Sequence, residues 1–277
     1  MTVWICRTCA VEHPDTDAPP AADCAICSDE RQYVRPEGQR WTTLEELRAE
    51  GHRGRVEEVE PGLVGISVEP PVGIGQRALL VRTPGGNVLW DPVGYLDDEL
   101  VAQVRDLGGV AAVASSHPHM FGAQVVWSRH FDDAPVHVVA ADASWVQRPD
   151  PVIRLVEETA EPVPGVRLVR IGGHFPGSAV LHLVGADGRG VLLTGDTVAA
   201  TPDERWVAFL RSYPNKVPLS AAVVGRVADR VLALDFDRLY DNLGGRVRQD
   251  ASSWVRRSAD RVVAWTRGDF DHLTGTG

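Results

Sequence analysis

The sequence predicts a layered α/β fold, and three observations support this prediction. Short apolar strands fall into two groups along the chain, and helices with an apolar stripe accompany each group. Histidines and an aspartate follow several of these strands directly. All four cysteines lie within the first 27 residues, which indicates a small module ahead of the main body.

The composition suits one large domain with a small appendage. The chain has 277 residues, of which 44% are hydrophobic, and a formal net charge of -10. This acidic balance argues against nucleic-acid binding, which needs Lys and Arg to neutralise phosphates. No apolar run approaches the roughly 18 residues that span a membrane, and the N-terminus lacks the charged lead and apolar core of a signal peptide. We therefore expect a cytoplasmic protein with reduced thiols and with no nucleic-acid or membrane partner; whether it forms a homodimer stays open.

Two Cys-x-x-Cys pairs define the N-terminal module. Cys6 and Cys9 form the first pair and Cys24 and Cys27 the second, with 14 residues between them. Two thiolates at this spacing can bind one tetrahedral ion, and a second pair completes its shell. We predict a zinc-ribbon-like module with one structural Zn²⁺ and a connector over residues 1–38; two disulfides or a rubredoxin-like iron centre are the alternatives. His13, between the pairs, is expected at the surface.

Residues 42–107 predict a helix, a group of strands and a second helix. Residues 42–49 begin with threonines that can cap a helix and place carboxylates in its first turn. Residues 97–107 place apolar side chains three or four positions apart and end at two glycines, as an amphipathic helix does. The strands between these helices are predicted at 56–68, 77–81 and 88–90.

A buried strand is predicted at 110–114, shortly before two histidines. Residues i and i+2 of an extended segment point to the same side, so His117 and His119 can converge on one point. Residues 124–131 are predicted to form a helix whose N-terminus faces that point and favours an anion.

The second half of the chain predicts further strands and two long helices. A turn at 186–190 joins two strands in a hairpin pattern. Residues 219–231 and 252–265 predict the two helices, the second with an amphipathic pattern. The strands of this half are predicted at 136–139, 152–156, 166–171, 179–184, 191–194 and 232–234.

Two more residues of metal-ligand type follow strands of this second half. His174 lies in a segment of glycines and a proline (GGHFPG, 172–177), which places it in a tight turn. Asp196 follows the strand at 191–194. Imidazole is a common neutral metal ligand, and catalytic zinc usually has three protein ligands and one open position. Each residue alone could be structural, but the four together predict a metal site.

Three motifs resemble the metallo-β-lactamase superfamily. The segments 117–119 (HPH), 173–178 (GHFPGS) and 193–197 (LTGDT) are similar to its patterns His-x-His-x-Asp-His, Gly-His-Thr-Pro-Gly-Ser and Thr-Gly-Asp-Thr. The strand that ends at Asp91 (NVLWDPVG) is similar to the family's strand ending in Asp-x-Gly. The resemblance covers about residues 65 to 241 and, with the two groups of strands, implies an αββα sandwich over 39–277, with the metal site at one edge where the sheets meet. Asp91 would then either hydrogen-bond a ligating histidine or only order its own turn.

The first motif departs from the family at two positions. Phe121 and Gly122 stand where the family has the Asp and His that serve a second metal and the attacking water. No histidine follows the late strand directly, and His272 in the polar C-terminal tail is a poor substitute. The resemblance therefore implies a degenerate second metal site. The residues expected to hold a single metal are His117, His119, His174 and, as a fourth ligand or a close partner, Asp196.

Three functions fit such a site. The favoured hypothesis is a zinc-dependent hydrolase of a small molecule, in which the metal activates a water that attacks an ester, thioester or amide. Asp196 would be its catalytic residue, because it could orient that water or accept its proton. A mononuclear Fe²⁺, oxygen-dependent enzyme similar to persulfide dioxygenases is the second, because His117, His174 and Asp196 could form a two-His, one-carboxylate triad. A non-catalytic, metal-stabilised scaffold whose ribbon binds a protein partner is the third.

Overall fold

The computed structural model describes residues 2–275, so Met1 and residues 276–277, at the ends of the two predicted domains, lie outside the described residues. The chain begins with a small antiparallel sheet whose first strand lies between the other two: β1 (Thr2–Cys6), β2 (Glu12–Thr16) and β3 (Trp41–Thr42). Helix α1 (Leu44–Ala49) follows, and the Thr43 hydroxyl caps it by accepting a hydrogen bond from the backbone N–H of Glu46.

The first of two large sheets has seven strands. In chain order they are β4 (Arg53–Glu60), β5 (Leu63–Glu69), β6 (Ala78–Thr83), β7 (Gly86–Trp90), β8 (Ala112–Ala114), β9 (Val136–Val139) and β10 (Ile153–Val156), and they lie side by side in the same order. Strands β4 to β7 pair antiparallel, whereas β7 to β10 pair parallel. The carboxyl ends of β7 and β8 therefore meet at one edge of the sheet.

The second large sheet has six strands in the order β11-β12-β13-β14-β19-β20, and two short hairpins are inserted between β14 and β19. The strands are β11 (Thr159–Val163), β12 (Val166–Arg170), β13 (Ala179–Val184), β14 (Gly190–Leu193), β15 (Ala199–Ala200), β16 (Val207–Ala208), β17 (Leu210–Ser212), β18 (Val217–Pro218), β19 (Arg238–Tyr240) and β20 (Arg246–Val247). The strand predicted at 232–234 is wrong. Leu232 caps the preceding helix and packs with Leu234 on the apolar layer beside the sheet, which explains their hydrophobicity.

Helices cover the outer face of each sheet. Helices α2 (Asp98–Asp106) and α3 (Gln124–His130) pack on the first sheet, and α4 (Ala221–Val231) and α5 (Ala251–Arg267) pack on the second. Strand β6 shows the layering, because Leu79 and Val81 face the second sheet whereas Ala78 and Leu80 face the helices. This arrangement confirms the αββα sandwich. No helix within residues 2–275 is long and apolar enough to cross a bilayer.

The N-terminal module packs directly on the main body. Ile5 and Ile26 belong to the same apolar cluster as the outer face of the first sheet. The backbones also approach closely, since a Cβ atom on Gly94 would lie 2.2 Å from the carbonyl oxygen of Ala10. The module is thus docked on its own chain, beside the edge where β7 and β8 end.

Candidate metal centres

The four cysteines converge in the N-terminal module. The Sγ atoms of Cys6 and Cys27 are 3.6 Å apart and those of Cys9 and Cys24 are 3.8 Å apart, and all four lie within 4.8 Å of one another. Sulfurs of a tetrahedral zinc site with bonds of about 2.3 Å lie about 3.8 Å apart. All four thiols are free, so the structure holds neither of the two disulfides. The donor set and its spacing fit one tetrahedral metal ion.

Hydrogen bonds prepare these sulfurs for a metal. Gln39 donates from Nε2 to the Sγ of Cys6 at 3.3 Å and accepts from the backbone N–H of Cys24 at 3.1 Å. The pKa of Cys24 lies well below that of a free thiol because it receives hydrogen bonds from Cys27 and Cys6. His13, expected at the surface, is buried, because its ring packs edge-on against Trp41 of β3 at a centroid distance of 4.4 Å.

His117 and His119 stand just after the end of β8. His117 is extended, and Pro118 then begins a single 3-10 turn, Pro118–Met120, that contains His119. His174 lies in the loop between β12 and β13, and Asp196 follows β14. The two sheets meet closely here, since a Cβ atom on Gly195 would lie 2.2 Å from the Oγ of Ser116. The fold therefore brings together the four residues that the sequence suggested as ligands.

The distances between these side chains match a tetrahedral metal site. The Oδ2 of Asp196 lies 3.5 Å from the Nε2 of His117 and 3.7 Å from the Nε2 of His174. The Nε2 of His174 lies 3.4 Å from the Nδ1 of His119. In a tetrahedral zinc site with bonds of about 2.0–2.1 Å, neighbouring ligand atoms lie about 3.3 Å apart. At these distances Asp196 can be a fourth ligand or the close partner of a metal held by the three imidazoles.

Hydrogen bonds fix which nitrogen of the His117 and His174 rings faces the centre. The Ser116 hydroxyl donates to Asp91 Oδ2 at 2.9 Å, so at 2.8 Å it accepts from the Nδ1–H of His117. The carbonyl of Leu210 accepts from the Nδ1–H of His174 at 3.0 Å. Both Nε2 atoms are thereby left for a metal. Asp91 thus acts on His117 through Ser116, a residue whose role the sequence analysis missed.

The three imidazoles are neutral near pH 7. Burial lowers the pKa of His117 to about 3 and that of His174 to about 4, and it lowers the pKa of His119 well below its usual value. The Nε2 atom of His117 is buried and has no hydrogen-bond partner in the described part of the chain. Neutral rings with a free nitrogen are what a divalent metal requires.

The positions that would serve a second metal are closed. The Phe121 side chain is buried in the apolar cluster outside the first sheet. Gly122 has a φ of +49°, and a Cβ atom there would lie 1.9 Å from the carbonyl oxygen of Pro92. His272 lies in an exposed turn near the C-terminus, Asp271–Leu273. The backbone therefore leaves no room for an imidazole at residue 122, in agreement with a degenerate second site.

The N-terminus of α3 does not offer the anion site that the sequence suggested. The carboxylate of Glu12 already accepts hydrogen bonds from the backbone N–H groups of Val125, at 2.5 Å, and Val126, at 3.3 Å. Arg148 pairs with the same carboxylate at 2.9 Å. The backbone N–H of Glu12 also donates to the carbonyl of Gly122 at 2.9 Å. The N-terminal module thus contacts the metal-binding loop directly.

The connector that follows the cysteines, residues 29–39, also covers the metal-binding side chains. The Arg31 guanidinium lies 3.6 Å from the ring centroid of Phe175, whose ring in turn packs against the rings of His117 and His119. The side chain of His117 is 0% exposed, whereas that of Asp196 is 11% exposed. Solvent therefore reaches the centre beside Asp196. The mixed charges of the connector gave no sequence signal for this role of Arg31.

Comparisons with known proteins agree with the fold described above. The uncharacterized protein YmaE of Bacillus subtilis (strain 168) is 43% identical over 275 residues, which cover 98% of this chain and 100% of the relative. Among solved structures, the DIM-1 metallo-beta-lactamase aligns with a TM-score of 0.56 and 13% identity, over 76% of this chain and 98% of its own. A B3 metallo-beta-lactamase with an active-site glutamic acid aligns with a TM-score of 0.54 and 15% identity, over 92% and 99%. At such identities these two structures show the fold alone.

The match to a protein family covers more than half of the sequence. The model of the Metallo-beta-lactamase superfamily matches residues 72–241, a range that contains both histidine motifs and Asp196. Together with the αββα sandwich and the histidine and aspartate cluster at its edge, this match identifies the family. The chain belongs to the metallo-beta-lactamase superfamily.

Proposed function

We propose that this protein is a single-metal hydrolase that cleaves an ester, thioester or amide bond of a small molecule. Membership of the superfamily supports metal-dependent hydrolysis in general. The observation that carries the narrower proposal is the convergence of three neutral imidazoles and one carboxylate at the spacing of a tetrahedral zinc site. The ligands would be His117, His119 and His174, with Asp196 as a fourth ligand or as the close partner of a metal-bound water, and the cysteine cluster would hold a second, structural Zn²⁺.

In such a reaction, different residues of the chain would orient the ligands, accept a proton and exclude water. A zinc ion at this centre would supply a coordinated water with a pKa near 7 and a Lewis acid for the carbonyl oxygen. Ser116 and the carbonyl of Leu210 orient two of the imidazoles. Asp196 borders the side that solvent reaches, so its carboxylate is placed to accept the proton that the attacking water loses. The buried rings exclude water from the other sides of the centre.

A second candidate function uses the same side chains. His117, His174 and Asp196 have the composition of a two-His, one-carboxylate triad for Fe²⁺, and the carboxylate lies within 3.7 Å of both imidazoles. The third imidazole, His119, lies 3.4 Å from His174 and favours the three-histidine set that is typical of zinc.

Elemental analysis of protein purified without added metal tests the proposal. Every thiol of the chain belongs to the cysteine cluster, so an organomercurial releases metal from that site alone. We expect two zinc ions per chain, one released by the reagent and one resistant, and we expect hydrolysis of ester or thioester substrates to follow the resistant ion. Iron in the resistant site would favour the oxygen-dependent enzyme. An empty resistant site would overturn both and favour the scaffold.

His174→Ala should remove the resistant zinc and the hydrolysis together, because one ligand and its link to Leu210 are lost. His272→Ala is the control, since that side chain lies in an exposed turn and should leave metal content and turnover unchanged. Full turnover at normal metal content in the first variant would sink the mechanism.

A further inference from the structure

The connector of the N-terminal module is hydrogen-bonded to the hairpin formed by β17 and β18. The side-chain amide of Asn215 donates to the carbonyl oxygens of Glu30 and Gln32, each at 2.9 Å. The Ser212 hydroxyl, which is buried, donates to the carbonyl oxygen of Arg31 at 3.0 Å. Three successive residues of the connector are thus bonded to the hairpin of β17 and β18.

The same hairpin orients His174, one of the candidate metal ligands. Leu210, the first residue of β17, accepts the hydrogen bond from the Nδ1–H of His174. Arg31 reaches the same histidine from the other side, because its Nη1 donates to the carbonyl oxygen of His174 at 3.4 Å. Both the ring and the backbone of His174 are therefore held by groups that the connector fixes.

The cysteine cluster determines where the connector starts. The backbone N–H of Ser28 donates to the carbonyl of Cys24 at 2.9 Å, which closes the turn that contains Cys27. Asp29 comes next in the chain, and its carboxylate accepts hydrogen bonds from the backbone N–H and the guanidinium of Arg31. A metal that ties Cys24 and Cys27 to the first cysteine pair would hold this turn, and with it the connector, in place.

We propose that Arg31, Ser212 and Asn215 are positioning residues that couple the two metal centres. Through them the metal-loaded cysteine cluster holds His174 in ligand geometry, so loss of metal from the cluster weakens metal binding at the histidine centre. The inference rests on the metal site of the proposed function but not on hydrolysis. Partners that orient ligating histidines commonly contribute a factor of about 10–100 to metal affinity, so we expect a loss of about tenfold.

The wild-type protein allows a direct test. With zinc in both centres, an organomercurial empties the cysteine cluster, and a colorimetric chelator then competes for the zinc that remains. We expect the zinc affinity of the histidine centre to fall about tenfold relative to untreated protein. An affinity that is unchanged by the reagent, or a histidine centre that binds no zinc in untreated protein, would overturn the coupling.

Variants that leave the cysteines intact separate this coupling from unfolding of the module. Asn215→Ala should weaken zinc at the histidine centre by about tenfold while one zinc per chain stays in the cluster. Arg211→Ala is the matched control, because it breaks an exposed ion pair with Glu30 between the same two segments and should leave the affinity unchanged. Equal zinc affinities in the two variants would refute the inference.

The same measurements keep this inference apart from the proposed function. Zinc affinity is measured without a substrate, so a zinc-loaded protein that hydrolyses nothing would refute the hydrolase and leave the coupling standing. Normal affinity in Asn215→Ala, with hydrolysis retained, would refute the coupling and leave the hydrolase standing. Thermal unfolding of each variant confirms that the fold is intact.

Discussion

At the scale of single residues, the orientation of two candidate metal ligands depends on hydrogen bonds to their outer ring nitrogens. Ser116 and the carbonyl of Leu210 each engage one nitrogen of an imidazole, so the other nitrogen of His117 and of His174 faces the centre. Burial keeps both rings neutral by lowering their pKa values. These hydrogen bonds and the neutral charge of the rings reduce the reorganisation that metal binding requires.

Gly122, in the loop after His119, occupies a backbone position that only glycine fits. Its φ of +49° and the 1.9 Å approach of a Cβ atom to the carbonyl oxygen of Pro92 exclude a side chain there. We expect Gly122→Ala to lower the free energy of unfolding by about 2 kcal/mol or more, measured by urea denaturation. Gly225→Ala is the control, because Gly225 lies within α4 with open space around it, and the change should stabilise by about 0.5–1 kcal/mol. Equal stability of the two variants would contradict this account.

At the scale of elements, local patterns predicted most of the fold. The apolar stripe of α2 and the threonine cap of α1 depend on neighbours three or four residues away, so the sequence locates both helices within a few residues. The contacts that decide the surroundings of the site are distant in sequence. Glu12 caps α3 across more than 100 residues, and Arg31 meets Phe175 across a similar span. No periodicity or spacing marks such contacts, which is why the anion site at α3 was expected and the cover by the connector was not.

The 3-10 helix Ala140–Trp145 is joined to the His174 loop by one carboxylate. The Oδ1 of Asp142 accepts from the backbone N–H of Gly177 at 2.8 Å, and its Oδ2 is buried with no hydrogen-bond partner among residues 2–275. Burial raises the pKa of Asp142 from 3.8 to about 6. The folded protein therefore holds this proton where the unfolded chain has released it. The stability from this group is complete below pH 3.8 and is lost as the pH rises to about 6.

Asp142→Asn should remove this pH dependence, because an amide keeps the acceptor for Gly177 but does not ionise. As the pH rises from 4 to 6.5, the free energy of unfolding of the variant should increase relative to that of the wild type by up to about 3 kcal/mol. Urea denaturation at a series of pH values measures this difference. Asp187→Asn is the control, since hydrogen bonds from Arg238 and Arg189 lower the pKa of that exposed carboxyl, so its contribution changes only below about pH 3.8 and the difference from the wild type should be nearly constant between pH 4 and 6.5. A difference that does not vary with pH would refute the role of Asp142.

At the scale of the whole molecule, the sandwich is held differently at its two edges. The metal centre and the N-terminal module lie where β8 and β14 end, whereas Arg238 lies at the start of β19, at the opposite edge. The guanidinium of Arg238 bonds the carboxylate of Glu60 on β4 and that of Asp187 in the β13–β14 turn. It therefore ties the first sheet to the second at the edge away from the metal.

Replacing this arginine tests whether the two edges are independent. Arg238 is buried and Glu60 is only 15% exposed, so Arg238→Met leaves a carboxylate without its cation, and the free energy of unfolding should fall by about 3 kcal/mol. Arg189→Met is the matched control, because that arginine is 55% exposed and shares Asp187, so its loss should lower the free energy of unfolding far less than the loss of Arg238. Adding Glu60→Gln to Arg238→Met should recover part of the stability, since the unpaired charge is then gone.

Metal content provides the second readout of the same variants. The hydrogen bonds that orient His117 and His174 do not involve Arg238. The folded Arg238→Met protein should therefore keep the zinc affinity of the wild type at the histidine centre. Loss of stability together with unchanged zinc affinity would show that the opposite edge closes the sandwich while the N-terminal module organises the site. Weakened zinc binding in this variant, or stability equal to that of Arg189→Met, would contradict that division between the edges.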